Sequence, residues 1–310
     1  MGWKASDIPD LTGRVAVVTG GNGGLGLATS MALAGHGATV VIGARNLAKA
    51  EAARTRILAA TPGAALEIYP LDLSSLAAVD AFARQVRIAH PAVNMLFNNA
   101  GLMAVPEGRT VDGFETQYGT NHLGHFALTL HLLPSLLSAA AAVGEARVVS
   151  TSSIARHTAG KFDLADLQLK GHYEPWTAYG ISKRCVMDFA FELDRRVASR
   201  GVRGFSSEPG LAKTDLQSTA ARSMRSFQHR FWDVLIRFAG QSAAHGALGQ
   251  LRAATDPAAV PGTLYVPRWM AFGAPVMRKA KGRMADPAEH AAVWDLAERE
   301  TGITLASVLV

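Results

Sequence analysis

The pattern of this chain predicts an α/β fold built on one doubly wound parallel sheet with helices on both faces. Three observations predict it. Short apolar runs rich in Val, Ile and Ala alternate with longer helical stretches from Arg14 to Ser206. Those runs are continuous rather than alternating, as strands buried on both faces are. A glycine-rich turn follows the first run and opens the first helix, the place where an α/β sheet binds ligands.

The elements follow in order. Residues 14–19 read as the first strand, ending in glycines, and Leu25 to His36 as a helix closed by Gly37. Ala38–Ile42 is the second strand and Ala48–Ala60 the second helix. Leu66–Pro70 is a third strand, Leu76–Ile88 a helix, and Met95–Phe97 a short fourth strand. Asn121 begins a long helix to Ala142; Arg147–Ser150 is a fifth strand. Tyr179–Arg200 is helical, and a strand follows near Val202–Ser206. Such alternation implies parallel strands joined by right-handed crossovers. Leu211 to Gly240 is less regular, although Phe231–Phe238 is amphipathic and suited to covering a pocket. No tandem repeat, low-complexity tract or linker interrupts the chain. One dinucleotide-binding and catalytic domain is therefore expected over residues 1–310, with 211–240 and 265–285 as substrate-pocket segments.

Composition narrows the partners. Of 310 residues, 49% are hydrophobic and 18% charged, which suits a folded core rather than disorder. The net charge of +6 is spread along the chain with no nucleic-acid motif, so no nucleic-acid partner is expected. A mild positive balance also attracts a phosphate-bearing ligand. The single cysteine, Cys185, sits in an apolar run and reads as a buried helix residue. One cysteine allows no internal disulfide, which suits a reducing cytoplasm. Asp7, Pro9 and Asp10 break any leader-like apolar stretch; Met1-Gly2 with Ser6 matches only the loose myristoylation pattern. The best candidate for a membrane span, Phe126–Gly144, contains His131, Pro134, Ser135 and Ser138 and reads better as a buried helix.

The glycine turn runs Thr19-Gly20-Gly21-Asn22-Gly23-Gly24-Leu25-Gly26. Glycines let backbone approach a pyrophosphate, and the helix N-terminus offers free N–H groups and a partial positive charge. Gly21, Gly23 and Gly26 satisfy G-x-G-x-x-G; Gly20, Gly24 and Gly26 satisfy T-G-x-x-x-G-x-G. Local sequence does not choose between them. At the end of the second strand, Gly43-Ala44-Arg45-Asn46 lacks the acid that would hold a ribose 2′-hydroxyl. The Arg45 fork can accept a 2′-phosphate instead, which favours NADP(H) over NAD(H).

Tyr179 and Lys183 stand four apart, on one face of a helix. A tyrosine titrates near 10 and needs help to exchange protons at neutrality; a nearby ammonium stabilises the phenolate. Such a pair can pass a proton to or from a carbonyl oxygen. The match is weak alone, but its company is specific: hydroxyls end the strand Arg147–Ser153, Asn98-Asn99-Ala100-Gly101 follows another strand, and Asn121 lies in Thr120-Asn121-His122-Leu123-Gly124-His125-Phe126.

Together with the glycine turn, this set resembles the short-chain dehydrogenase/reductase family over roughly residues 11–215, most closely its retinol-dehydrogenase-like branch with its actinobacterial relatives. The resemblance implies a single-domain Rossmann-type fold and hydride transfer between a nicotinamide and a carbonyl/alcohol pair. It implies Tyr179 as the acid or base and Ser153, rather than its rival Ser152, on the substrate oxygen. Lys183 would lower the tyrosine pKa and bind the nicotinamide ribose; Asn121 would hold a water in a proton relay. Asn99, Ala100 and Gly101 would line the adenosine side, and Asp72, with Leu73, the adenine edge. Pro209, Gly210 and Thr214 would contact the carboxamide and phosphates. The simpler readings are that Asp72 and Asn121 cap helices and that Ser153 ends a strand.

The branch usually has histidine where this chain has Glu208, before Pro209; that carboxylate either alters substrate preference or points to solvent. His122 and His125 lie three apart on a helix, but no acid or cysteine cluster completes a ligand set, so no metal is expected. Leu102, Met103, Trp176, residues 211–240 and Trp269–Met277 would form an apolar pocket for a hydrophobic small-molecule carbonyl or alcohol. Arg45 and the missing acid favour reduction. The rivals are a non-catalytic NADP(H)-binding sensor on the same fold, and an NAD-linked alcohol dehydrogenase. The resemblance leaves a homo-oligomer and a monomer both open.

Overall fold

A computed structural model describes residues 2–160, 162–211 and 241–309. Eight strands form one sheet in the order β3-β2-β1-β4-β5-β6-β7-β8. These are β1 Val15–Thr19, β2 Thr39–Ala44, β3 Leu66–Pro70, β4 Met95–Asn98, β5 Ala146–Thr151, β6 Val202–Ser207, β7 Leu264–Pro267 and β8 Pro275–Arg278. All neighbouring pairs are parallel except β7 with β8, which is an antiparallel hairpin. The chain winds outward from β1 through β2 to β3, then crosses back so that β4 lies on the other side of β1. That reversal opens a crevice above the carboxyl ends of β1 and β4, where open α/β sheets take their ligands.

Helices α1 Gly24–Gly35, α2 Leu47–Ala60 and α7 Ala243–Thr255 cover one face. Helices α3 Leu76–Ala89, α5 Gly124–Val143, α6 Pro175–Val197 and α8 Pro287–Thr301 cover the other. The strands are buried on both sides, with Val17, Val18, Val40, Val41, Leu96, Phe97, Val148 and Val149 at 0% exposure, which is why they read as unbroken apolar runs. Local signals set the helix starts: the Asn46 side chain caps α2 by accepting from Lys49 N, and Ser75 caps α3 through Ala78 N.

The long helix differs from expectation at its start. It begins at α4 Thr116–Tyr118, capped by Glu115, and passes through a π-helical turn, Gly119–Leu123, before α5. Asn121 therefore lies inside a continuous helix rather than at its beginning. Residues 116–143 are long and apolar enough to cross a membrane, yet here they pack into the core, with Phe126, Leu128, Leu130, Leu132 and Leu133 fully buried. Helix α6 starts earlier than the sequence suggested, at Pro175, with Glu174 capping it and proline in its first turn.

Candidate active site

The glycine turn is shaped by two left-handed residues, Gly20 (φ +65°) and Gly24 (φ +49°). At Gly26 a Cβ would lie 2.2 Å from the Gly20 carbonyl oxygen and 2.6 Å from Asn99 Nδ2, so nothing larger fits. Gly23 has extended backbone that any residue adopts. The glycine chemistry therefore falls on Gly20, Gly24 and Gly26, the second of the two patterns. Gly21 is needed for packing instead, since its Cβ would press on Ser30 and Ile42.

A cleft of about 320 Å³ opens above this turn. Gly20, Asn22, Gly24, Leu25 and Gly26 line it from β1 and α1; Arg45 from the end of β2; Asp72 and Leu73 from beyond β3; Asn99, Ala100 and Gly101 from beyond β4. Asn46, Lys49 and Thr120 join them, and the sequence reading had not assigned these. Lys49, four residues after Arg45, places a second exposed cation on the same rim. Asp72 is not a helix cap: Ser75 holds that position, and Asp72 Oδ1 accepts from the Ser74 amide and hydroxyl. The Asn99 side chain braces the cleft wall, donating from Nδ2 to Thr19 O at 2.9 Å.

The groups expected to react, Ser153, Tyr179 and Lys183, lie beyond Gly101, at the end of the cleft. Gly101 marks the junction: its Cβ would be 2.8 Å from Asn121 Oδ1 and 3.5 Å from Lys183 Nζ. Ser153 sits just past β5, capping the turn Ile154–Thr158. Its hydroxyl lies close enough to the Tyr179 phenol to pull that group's pKa down. Ser152 faces elsewhere, donating to Lys183 O at 2.7 Å. Lys183 Nζ lies 5.8 Å from the Tyr179 ring centre and donates to Thr151 O at 2.8 Å.

Electrostatics here depart from the sequence expectation that Lys183 lowers the tyrosine pKa. Burial pushes the Tyr179 phenol up to about 12, against the opposing pull of Ser153. Burial likewise pushes Lys183 down to about 8. Loss of water is the dominant effect on both groups, and the ammonium is committed to a backbone carbonyl. The phenol is thus held protonated at neutral pH.

Asn121 ties the site together. Its Oδ1 accepts from Leu102 N at 2.7 Å, and its Nδ2 donates to Leu102 O and Ser182 Oγ, both at 2.9 Å. Its backbone oxygen meets His125 Nδ1 at 2.9 Å. A carbonyl only accepts, so Nδ1 carries the proton, and the bare Nε2 faces the Thr19 hydroxyl at 3.0 Å, which it shares with Phe97 O at 3.1 Å. Thr19 Oγ1 in turn receives the Asn99 and Ala100 amides. Burial drives His125 down to about 4, so the ring stays neutral in this chain of contacts. His122 instead packs among Tyr118, Phe126 and Phe189, and burial drives it to about 3. No group of three metal-ligating side chains gathers among the described residues.

Glu208 does not point to solvent. It is buried and ion-paired with Arg156, whose Nη1 also donates to Ser153 O. A carboxylate inside a protein needs a cation, and Arg156 sits on the Ser153 turn facing the end of β6. Burial lowers the Arg156 guanidinium to about 10, with Arg184 adding to the effect. Beyond Glu208, Pro209 O accepts from Gln241 Nε2, and Gly210 is left-handed (φ +66°) where a Cβ would meet Ala271 O at 2.5 Å. Thr214 and Phe231–Phe238 lie outside the described residues. Leu102 and Met103 line the cleft, and Trp176 packs edge-on against Tyr179. Residues 265–285 form most of the β7–β8 hairpin and the turn after it.

A family model described as short chain dehydrogenase matches residues 14–225. A short-chain dehydrogenase/reductase of Armillaria gallica is 38% identical over 302 residues, covering 96% of this chain and 93% of its own. Retinol dehydrogenase 12 of Mus musculus is 40% identical over 206 residues, 66% of this chain and 64% of its own. Polyprenol dehydrogenase of Mus musculus is 38% identical over 71% of this chain and 66% of its own. Among solved structures, an uncharacterized protein from Mycobacterium paratuberculosis superposes with a TM-score of 0.77 at 36% identity, covering 98% of this chain and 99% of that one. The NADP active-site complex of Pseudomonas aeruginosa RhlG gives 0.65 at 25% identity, over 82% and 94% of the two chains. With this sheet order, glycine turn and Ser–Tyr–Lys grouping, the chain belongs to the short-chain dehydrogenase/reductase family, is retinol-dehydrogenase-like within it, and is an oxidoreductase acting on a CH–OH/C=O pair.

Proposed function

We propose that the chain is an NADP(H)-dependent oxidoreductase that reduces the carbonyl of a hydrophobic small molecule, with Tyr179 as the general acid. The observation that carries this reading is the grouping of Ser153, Tyr179 and Lys183, with Lys183 Nζ 5.8 Å from the Tyr179 ring centre, next to Gly101 at the end of a cleft lined by glycine backbone. The cleft fits a dinucleotide: Gly26 leaves no room for a Cβ, the N-terminus of α1 lines it with amides suited to an anion, and Arg45 and Lys49 stand exposed at the rim for a 2′-phosphate. When bound, the nicotinamide supplies the hydride. Ser153 holds the carbonyl oxygen in hydrogen-bond reach of the phenol, and Tyr179 delivers the proton as negative charge develops there. A phenol held protonated is the state that reduction requires. Lys183 and Asn121 are buried behind it, and in this reading Lys183 returns the proton to the phenolate. Retinol and polyprenol, named in two relatives, are lipophilic alcohols, which supports an apolar substrate.

The test is NADPH oxidation over a panel of lipophilic aldehydes and ketones, with Tyr179→Phe alongside. Turnover by the native chain and a loss of about a thousandfold in kcat/KM for the variant are expected, with NADPH affinity kept within about twofold. NADPH binding without turnover of any carbonyl would instead identify a sensor. Tighter binding of NADH than NADPH would remove the argument from Arg45.

A further inference from the structure

Residues 99–102, the loop that leaves β4 and lines the cleft, are gripped at both ends. At one end Thr19 Oγ1 receives the Asn99 amide at 2.9 Å and the Ala100 amide at 3.0 Å. At the other end the Asn121 side chain accepts from Leu102 N at 2.7 Å and donates to Leu102 O at 2.9 Å. Gly101 lies between the two grips, where a Cβ would be 2.8 Å from Asn121 Oδ1 and 3.5 Å from Lys183 Nζ.

His125 joins the two grips. Its Nε2 is 3.0 Å from the Thr19 hydroxyl and its Nδ1 is 2.9 Å from the Asn121 backbone oxygen. The contacts close a circuit that runs from Thr19 through residues 99–102 to Asn121, then through His125 back to Thr19. The circuit is dry where it closes, since Thr19, Asn121 and His125 are all buried. A neutral imidazole offers a donor on one edge and an acceptor on the other across a rigid ring, so a shift of either partner is passed to the other. Thr19 Oγ1 already receives two amides and shares its one proton between Phe97 O and Nε2. Without the imidazole, Thr19 keeps its hold on Asn99 and Ala100 and loses only its tie to Asn121. His122, three residues earlier, is a natural contrast: it is equally buried, but neither ring nitrogen has a hydrogen-bond partner among the described residues.

We propose that His125 is a positioning residue that locks Asn121 to the nucleotide turn, so that residues 99–102 keep one register between a bound dinucleotide and the Tyr179–Lys183 end. The kinetic consequence rests on the hydride-transfer reading above; the clamp itself does not.

Three variants take the clamp apart. His125→Phe keeps a planar ring and removes both contacts. Asparagine places its amide near Nδ1 and glutamine near Nε2, so His125→Asn keeps the Asn121 contact alone and His125→Gln the Thr19 contact alone. Amide hydrogen exchange on the full chain reads the loop without any turnover. His125→Phe should raise exchange at Leu102 about tenfold and at Asn99 and Ala100 by less than about threefold. His125→Asn and His125→Gln should each raise exchange at Leu102 by at least about threefold, because a clamp needs both contacts. With NADPH and a lipophilic aldehyde, His125→Phe should lower kcat about tenfold while aldehyde KM and NADPH Kd stay within about twofold. His122→Phe is the control and should move neither Leu102 exchange nor kcat by more than about twofold. Thermal melting checks that each variant is folded. A lowered melting temperature with Leu102 exchange and kcat both as in the native chain would make His125 a core anchor and overturn the proposal. Faster exchange with kcat unchanged overturns it too, because the clamp would then position nothing. If His125→Phe does not fold, the single-contact variants decide, and native exchange at Leu102 in either one is fatal. A native chain that turns over no carbonyl would sink the hydride-transfer reading, and Leu102 exchange would then decide the clamp alone.

Discussion

The two ends of the crevice are built by opposite means. Above β1, β2 and β4, the cleft is made mostly of backbone and small residues, and its charged groups, Arg45 and Lys49, stand in water at the rim. Above β5 and β6, the reacting end is made of side chains, and its charges are buried: Lys183 is 5% exposed, Glu208 5% and Arg156 9%. The first end depends on the glycine turn staying free of a Cβ at Gly26. The second end depends on each buried polar group keeping its partner. A diphosphate is held by amides that every residue supplies, whereas a proton must be held at one atom.

Mutations separate the two ends. The largest effect is expected at Glu208. Glu208→Ala leaves the Arg156 guanidinium buried and unpaired, which should cost about 3–5 kcal/mol in urea unfolding. Most of that should return in the Glu208→Ala/Arg156→Leu double variant; no recovery would mean the pair is not coupled. In the cleft, Gly26→Ala drives a methyl group into the Gly20 carbonyl and should cost about 1–3 kcal/mol of stability together with nucleotide affinity. Gly63→Ala, a left-handed glycine with nothing within 4 Å, is the control and should leave affinity unchanged. Arg45→Ala should weaken NADPH by about thirtyfold, near 2 kcal/mol, and NADH by less than about threefold. Fluorescence titration at two salt concentrations reads both, and equal losses would erase the proposed role of the rim.

The smallest effect concerns His122. Its folded pKa is near 3, against 6.5 unperturbed. The unfolded chain takes up a proton below 6.5 and the folded chain does not, so stability is lost as pH falls from 6.5 towards 3. His122→Phe should therefore gain about 1 kcal/mol of unfolding free energy, measured with urea, at pH 5.5 relative to pH 7.5. An unchanged pH dependence would show that another group carries the acid sensitivity.

Much of the first half was legible because its signals are local. Strands β1 to β6 announce themselves as apolar runs, and Gly20, Arg45, Asp72, Asn99 and Gly101 follow strand ends, where a parallel sheet must bind. What failed to show depends on three dimensions. Which glycines matter is decided by φ and by the approach of Asn99, not by spacing. The expected effect of Lys183 on Tyr179 is outweighed by burial of both groups. Glu208 finds a partner, Arg156, that is close only because β5 and β6 are neighbours. The strands β7 and β8 contain Pro267 and Pro275, a residue that argues against a strand when read in sequence alone.

The π-helical turn at Gly119–Leu123 has a consequence for the evolution of this site. An ordinary helix advances about 100° per residue, so one surplus residue rotates everything upstream by that angle. Asn121 can therefore aim at Leu102 and Ser182 while the apolar stripe downstream keeps its own heading. Removing a single residue from this turn would restore an unbroken spiral and swing Asn121 off its target, even though every contact in the remaining chemistry were spelled correctly. The helix behaves as a splice between two phases, and the length of the chain through it is as much a functional specification as the asparagine itself.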